Sequence, residues 1–102
     1  MKVIVTYDLT ENRLHESKHS QVKDSMKAKG YQDSFQNKHK DGSSVTIYLP
    51  NTTLWKDGIT PSDALNDIKE CTKKHNADLE RFFADEFTDN WAAIQGKKYA
   101  NE

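Results

Sequence analysis

The run Val3-Ile4-Val5-Thr6-Tyr7-Asp8-Leu9 constrains the fold of this 102-residue chain more than any other stretch. Its β-branched and aromatic residues favour an extended backbone, and the polar run Thr10-Glu11-Asn12 that follows ends it. We therefore predict a central β-strand over residues 1–9, around which a sheet is assembled. This strand carries an acidic side chain, Asp8, at its carboxyl end.

The composition limits the chain to one small core. Only 34% of its residues are hydrophobic while 30% are charged, which is too little apolar surface for a sandwich with two apolar layers. We place one domain at residues 1–94 and expect a flexible tail at residues 95–102. No apolar run approaches the roughly 20 residues of a membrane span, and the N-terminus lacks a signal-peptide layout, so we expect a cytoplasmic protein without membrane contact.

Two helices are predicted from their capping signals. Residues 12–29 contain no glycine or proline, and Gly30 stands where a C-terminal cap belongs. The second helix starts at Thr60-Pro61-Ser62-Asp63, which combines a good N-cap with proline at the first helical position, and it ends near His75-Asn76. Its apolar stripe, which includes the single cysteine as a half-buried packing residue, consists of Ala64, Leu65, Ile68 and Cys71.

A hairpin is predicted between these helices. Residues 31–38 form a polar strand with Tyr31 and Phe35 on one face, and Asp41-Gly42 favours a tight hairpin turn. The return strand over residues 44–49 alternates in polarity and ends at a proline. We expect Val45, Ile47 and Leu49 to point inward and Thr46 and Tyr48 to point outward.

The remaining segments are a loop and a last strand. Residues 51–59 are predicted to be a loop that carries Trp55. Residues 78–94 permit one helix, because large apolar residues recur there every four positions, but we prefer a strand to Phe87 followed by a turn or short helix over residues 88–94. The predicted order is β-α-β-β-α-β, which defines an α+β, ferredoxin-like fold with two helices on one face of a four-stranded antiparallel sheet. The other face is then left to solvent, a ligand or a second subunit.

Charge is unevenly distributed along the chain. Residues 13–40 contain seven basic and three acidic residues, whereas residues 57–91 contain four basic and nine acidic ones. This asymmetry is consistent with a surface that faces a polyanion, and it is equally what two ordinary solvated helices show.

The motif His15-Glu16-Ser17-Lys18-His19 matches the H-E-x-x-H pattern of zinc hydrolases. Such enzymes need a third protein ligand and a cleft between two lobes, for which a chain of this size has little room. We therefore disfavour zinc and interpret these histidines as packing or surface residues.

Asp8 is the stronger metal candidate. A carboxylate at the end of a central strand, followed by Glu11, holds Mg²⁺ through one or two oxygens while water completes the octahedron. In a symmetric homodimer two copies of Asp8 face each other across the axis and form a site that neither chain has alone. The alternative is that Asp8 only caps the turn at residues 10–12.

Nucleic-acid contacts are predicted around this site. Thr6, Thr46 and Tyr48 should line the sheet face that the helices leave free, where an aromatic ring stacks on bases. Phosphate contacts are assigned to Arg13, Lys38 and Lys40. An equally good account makes Tyr48 a residue of a dimer interface.

The opening strand resembles that of small CRISPR-adaptation nucleases and of VapD-type toxins. The later layout resembles GhoS-type antitoxin ribonucleases through Lys29-Gly30-Tyr31, Tyr48-Leu49-Pro50, Leu79-Glu80-Arg81 and Trp91-Ala92-Ala93-Ile94. The resemblance covers the chain to about residue 94 and implies a ferredoxin-like fold with metal-dependent phosphodiester cleavage at Asp8. The polar second strand and the loop around Trp55 depart from these families.

Two functions follow from these features. The first is a homodimeric nucleic-acid-acting protein, a metal-dependent endoribonuclease of the toxin–antitoxin or CRISPR-adaptation class with RNA as its partner. The alternative is a non-catalytic interaction module that uses the free sheet face or the Trp55 loop.

Overall fold

The computed structural model describes residues 1–10, 18–38 and 41–87. Within them the chain has a mixed α+β fold in which two helices pack against antiparallel sheets. The elements in chain order are β1 (Lys2–Thr10), α1 (His19–Ala28), β2 (Ser34–Lys38), β3 (Ser44–Tyr48), β4 (Thr53–Asp57), α2 (Pro61–Lys74) and β5 (Asp78–Phe87).

Strand β1 is the centre of a three-stranded sheet with the order β4-β1-β5. It pairs with β5 along its whole length and with β4 from Lys2 to Thr6. The predicted opening strand is therefore confirmed as the central one of this sheet. The last strand is also confirmed, because β5 ends at Phe87, whereas residues 88–102 lie outside the described residues.

The predicted loop at residues 51–59 is wrong, because residues 53–57 form β4. The chain turns after Pro50 through Thr52, which has a positive φ of 68°, and Thr52 accepts a hydrogen bond from the Tyr7 backbone through its carbonyl. From there Leu54 points into the core, where it is fully buried, and Trp55 points to the other side of the sheet, opposite Ile4. Four residues, 49–52, thus separate two strands where the sequence indicates one strand and a loop.

The structure does not contain the predicted single four-stranded sheet within the described residues. The hairpin β2-β3 forms its own two-stranded sheet, and one isolated bridge between Gln32 and Trp55 connects the chain before β2 to β4. The predicted alternation of β3 stays a prediction, since its residues 45–48 are all half-buried, while Leu49, predicted to point inward, is buried. The prediction that places Tyr31 and Phe35 on one face of a strand is not matched by their environments. Tyr31 is buried in the core, whereas Phe35 stacks on Trp55.

The core lies between the three-stranded sheet and the helices. Every second residue of β1 is buried, which is the period that places those side chains on one face of a strand. Both helices contribute to the same cluster, so this is the face that they cover. Its buried members are Val3, Val5, Tyr7, Leu9, Val22, Met26, Tyr31, Leu54, Ala64, Ile68 and Cys71.

In the described part of the chain helix α1 begins at His19, and Lys18 is its N-cap with non-helical backbone angles, so the predicted helix is not continuous at Lys18. No side chain caps it, and no acidic residue lies in its first turn, so the local signals for a start are weak there. The rest of the predicted helix, residues 12–17, lies outside the described residues.

A buried charge cluster attaches α1 to the segment before β2. Lys23 Nζ lies 3.3 Å from Asp33 Oδ2, and both side chains are less than a tenth exposed. Lys27 Nζ approaches the same oxygen at 3.6 Å from the solvent side. Because Oδ2 has no partner with hydrogen-bond geometry, its attraction to the lysines is mainly charge to charge.

The start of α2 is confirmed in detail. The Thr60 hydroxyl accepts from the Asp63 backbone N–H at 3.2 Å, and the Asp63 carboxylate accepts from the Thr60 N–H at 3.0 Å. This reciprocal capping box satisfies two backbone donors that the helix cannot satisfy itself. The helix ends at Lys74 with His75 as its C-cap, as predicted.

No helix among the described residues is long and apolar enough to cross a membrane.

Replacement of Thr60 by alanine is expected to lower the free energy of unfolding by about 1 kcal/mol, since the Asp63 N–H loses its acceptor. Urea denaturation followed by circular dichroism measures the difference. Ser62→Ala, an exposed position in the same turn, is the control and should change stability by less than about 0.5 kcal/mol. Equal effects of the two changes would show that the capping box does not stabilise the protein.

Replacement of Asp33 by alanine is expected to cost about 3–5 kcal/mol, because the buried Lys23 ammonium loses its carboxylate. The same denaturation experiment on Asp24→Ala, at an exposed position of α1, provides the control and should show little change. The double variant Lys23→Met/Asp33→Leu should recover most of the lost stability, since it removes both buried charges. A double variant as unstable as Asp33→Ala would contradict this account.

Candidate functional site

The candidate site lies on the side of the three-stranded sheet opposite the core, which we call the second face. It consists of the β1 side chains that alternate with the buried ones, together with their neighbours on β4 and β5. Both described helices pack against the other side, so this face presents its side chains away from the main core. Its members are Lys2, Ile4, Thr6, Asp8, Thr53, Trp55, Arg81, Phe83, Asp85 and Phe87.

Asp8 lies near the carboxyl end of β1 and forms an ion pair across the sheet. Its Oδ2 lies 3.3 Å from Nη1 of Arg81, the residue directly opposite on β5. The two side chains are 57% and 69% exposed, so water screens the attraction and the pair adds little to stability. The predicted alternative role of Asp8 as a cap of residues 10–12 is not tested, because residues 11 and 12 lie outside the described part of the chain.

A β-bulge brings a second carboxylate to this place. Asp8 is opposite Arg81, but the next residue, Leu9, is opposite Leu79, so Glu80 has no partner in the register. A bulge turns the side chain of the extra residue toward its neighbour's side. Glu80 Oε1 accordingly lies 2.9 Å from the same Nη1 of Arg81, and the Thr10 hydroxyl donates to Glu80 Oε2 at 3.5 Å. Two carboxylates therefore share one guanidinium nitrogen.

An aromatic cluster occupies the opposite end of the second face. Phe35 and Trp55 are stacked with ring centroids 4.7 Å apart, and Phe87 meets both rings edge-on. The Trp55 indole donates to the Ser34 carbonyl at 2.8 Å, which fixes the ring against β2. Lys2 Nζ lies 5.7 Å from the Trp55 ring centroid, within cation–π range. This cluster joins the two-stranded sheet to the three-stranded one.

Phe83 is the large apolar residue that the second face exposes most. It lies on β5 opposite Thr6, two residues from Arg81, and it is 61% exposed. Its neighbours in the chain, Phe82 and Ala84, pack against the core from the other side of the strand.

The predicted site residues are only partly placed by the structure. Asp8 lies on the predicted face. Tyr48 lies on β3 opposite Ser34, in the two-stranded sheet, and not in the sheet that contains Asp8. Lys38 ends β2 opposite Ser44. Arg13 and Lys40, the other predicted phosphate contacts, lie outside the described residues, as does Glu11.

The donor set around Asp8 fits a hard cation. Carboxylate and hydroxyl oxygens suit Mg²⁺, which keeps several waters and binds through one or two carboxylates. Within residues 1–10, 18–38 and 41–87, no three histidine, cysteine or acidic side chains converge as a metal site. Of the H-E-x-x-H motif, only the end at His19, in the first turn of α1, lies within the described residues. His15 and Glu16 lie outside them.

A groove of about 470 Å³ separates α1 and α2 on the core side of the molecule. Ser25 Oγ lies 2.6 Å from His75 Nε2 across it, and Lys29 forms an ion pair with Glu70 at 3.0 Å. The pair Ser25–His75 does not form a hydrolase site. The backbone N–H groups around Ser25 lie inside α1 and bond to carbonyls one turn earlier, so they cannot stabilise an oxyanion. Burial raises the pKa of the Cys71 thiol at the groove, which keeps it protonated. These contacts hold the helices together.

The sequence did not predict three residues of the site, which are Arg81, Glu80 and Phe83. The period-two pattern of residues 81–87 places Arg81 and Phe83 on one face of a strand, so a signal for that pair exists. No local sequence pattern predicts the bulge that adds Glu80.

No family model, no curated protein and no solved structure matches this chain.

Proposed function

We propose that this chain is a small homodimeric nucleic-acid-acting protein, a metal-dependent endoribonuclease of the toxin–antitoxin or CRISPR-adaptation class. One observation carries the proposal. The Asp8 carboxylate is exposed near the carboxyl end of the central strand, on the second face, and a guanidinium lies 3.3 Å away. Carboxylates and cationic side chains that converge on an accessible sheet face are the elements that phosphodiester cleavage requires.

The topology supports the ferredoxin-like part of the proposal. The order β5-β1-β4 places the last strand and the strand before α2 on the two sides of β1, all antiparallel. The Gln32–Trp55 bridge then adds the chain before β2 as a neighbour of β4. This arrangement supports the strand order of a split β-α-β unit, which we propose for the chain.

Mg²⁺ is the cofactor that we propose at Asp8. When bound, it polarises the phosphodiester and makes a bound water a better nucleophile. Asp8 supplies a ligand oxygen, and the pairing of β1 with β5 at this position fixes the backbone that carries it. A second copy of the chain, related by a two-fold axis near β1, supplies a second Asp8.

The remaining predicted contacts belong to the same proposal. Arg13, Lys38 and Lys40 are assigned to phosphates and Tyr48 to a base, on the basis of the positive charge of residues 13–40. A cytoplasmic location suits an enzyme that acts on RNA.

Asp8→Asn is expected to reduce Mg²⁺-dependent cleavage of labelled single-stranded RNA at least a hundredfold, because the amide removes the charge that holds the ion. Gel electrophoresis of the products measures the rate, and excess EDTA should abolish cleavage by the wild-type protein.

Asp85→Asn is the matched control for this prediction. Because Asp85 belongs to the second face, a further control is Asp24→Asn, which removes the same charge from an exposed position on α1, and cleavage by this variant should change less than threefold. Cleavage that persists unchanged in Asp8→Asn would remove Asp8 from the mechanism. Wild-type protein that neither cleaves RNA nor binds it in a salt-sensitive manner would exclude the whole class.

The aromatic cluster supports a second candidate, a non-catalytic interaction module. Phe35, Trp55 and Phe87 form an apolar surface at one end of the second face, and Phe83 extends it. Aromatic residues are enriched at protein–protein interfaces, which favours a protein as the partner of this surface. Sedimentation equilibrium distinguishes the candidates when it is combined with the cleavage assay, since a stable assembly without nucleic-acid binding or cleavage is expected only for the module.

A further inference from the structure

We infer that Arg81 and Phe83 form a binding site for one unpaired nucleotide, so that the substrate is a single strand and not a duplex. The inference rests on the proposed function and adds the substrate class and two residues to it. It depends on the arrangement of β5, where Arg81 and Phe83 are two residues apart on the same face.

Within the described residues, the ion pairs of Arg81 use one side of its guanidinium. Asp8 and Glu80 both contact Nη1, at 3.3 and 2.9 Å. The side chain is 69% exposed, which makes its other edge, formed by Nε and Nη2, accessible to a ligand. Nε and Nη2 donate two parallel hydrogen bonds from one edge of the guanidinium, which is the geometry that binds two oxygens of a phosphate.

The carboxylates hold this edge in place. Each of them contacts the nitrogen at the other side of the guanidinium, and the Thr10 hydroxyl in turn contacts Glu80. These exposed, water-screened contacts bias the guanidinium toward one orientation before a ligand arrives, which lowers the entropy lost on binding by a small amount.

Phe83 offers a surface for a base beside that phosphate. It is 61% exposed, so its ring is accessible to a ligand. The separation along a strand of two residues is roughly 7 Å, close enough for one nucleotide to reach both side chains. An aromatic ring on a sheet face stacks on nucleic-acid bases with little regard to their identity.

This arrangement selects single strands. In a duplex both faces of each base are covered by its neighbours in the stack, so only an unpaired base offers a ring face to Phe83. Within the described residues β5 is an edge strand of its sheet. A nucleotide bound there lies at the margin of the second face, beside Asp8 and not on top of it.

The charges around Arg81 make this binding dependent on a cation. Asp8 and Glu80 together outweigh the charge of the guanidinium, so a phosphate is repelled while both carboxylates are uncompensated. A divalent ion at Asp8 offsets that repulsion. The site thus links the metal and the substrate of the proposed reaction.

The test is the binding of a short fluorescein-labelled RNA, measured by fluorescence anisotropy as the single strand and after annealing to its complement. With Mg²⁺ the wild-type protein should bind the single strand at least tenfold more tightly than the duplex. Phe83→Ala should weaken single-strand binding about tenfold, whereas Phe83→Tyr, which keeps a stacking ring, should restore it. Arg81→Lys keeps the charge without the fork and should also weaken binding.

Lys69→Gln is the control for a lost positive charge, because Lys69 is exposed on α2, away from the second face. Its binding should equal that of the wild type, and thermal melting should show that all variants are folded. Equal affinity for single strand and duplex, or unchanged binding by Phe83→Ala, would overturn the inference and leave the proposed function standing. Absence of binding to either RNA, with and without Mg²⁺, would overturn the proposed function itself.

Discussion

The pairing of β1 on both of its edges is the constraint on which the rest of the structure depends. Since β4 and β5 bond to it from opposite sides, its alternation decides the environment of every neighbouring side chain. Val3, Val5 and Tyr7 face the helices and are buried. The residues between them necessarily form the second face. A slip of one residue would exchange the core and the candidate site, so the hydrophobic pattern that stabilises the fold also positions Asp8.

The β-bulge beside Asp8 interrupts the regular pairing of β1 with β5. An ideal ladder would place Glu80 and Arg81 on opposite faces of β5, because successive side chains alternate. The register shift after Asp8 brings both of them to the same carboxylate. The bulge disrupts the hydrogen-bond ladder locally, and it brings two carboxylates into contact with one guanidinium. Bulges of this kind often lie next to functional sites, which agrees with the position of this one.

Local signals account for the parts of the fold that the sequence predicted well. The β-branched run of β1 and the capping box at Thr60 each act within a few residues, whereas the predicted tight turn at Asp41-Gly42 is wrong, because the pairing of Lys38 with Ser44 leaves residues 39–43 between the strands. The strand β4 was missed because Pro50 and the residues after it look like the start of a loop, and only pairing with β1 reveals the strand. The contact of Asp8 with Arg81 joins residues 73 apart. Its existence depends on register, which a single sequence does not contain.

The two ends of the second face differ in their chemistry, and the difference bears on function. At one end the rings of Phe35, Trp55 and Phe87 pack against one another, so part of their apolar surface is covered within the chain. At the other end Phe83 has no such ring contact within the described residues, and the acids around Arg81 exceed its charge. An excess of negative charge at an exposed site attracts a cation, and a cation held there attracts a phosphate. The acidic character of this end therefore favours a cation as its first partner, whereas the aromatic end is largely closed by contacts within the chain.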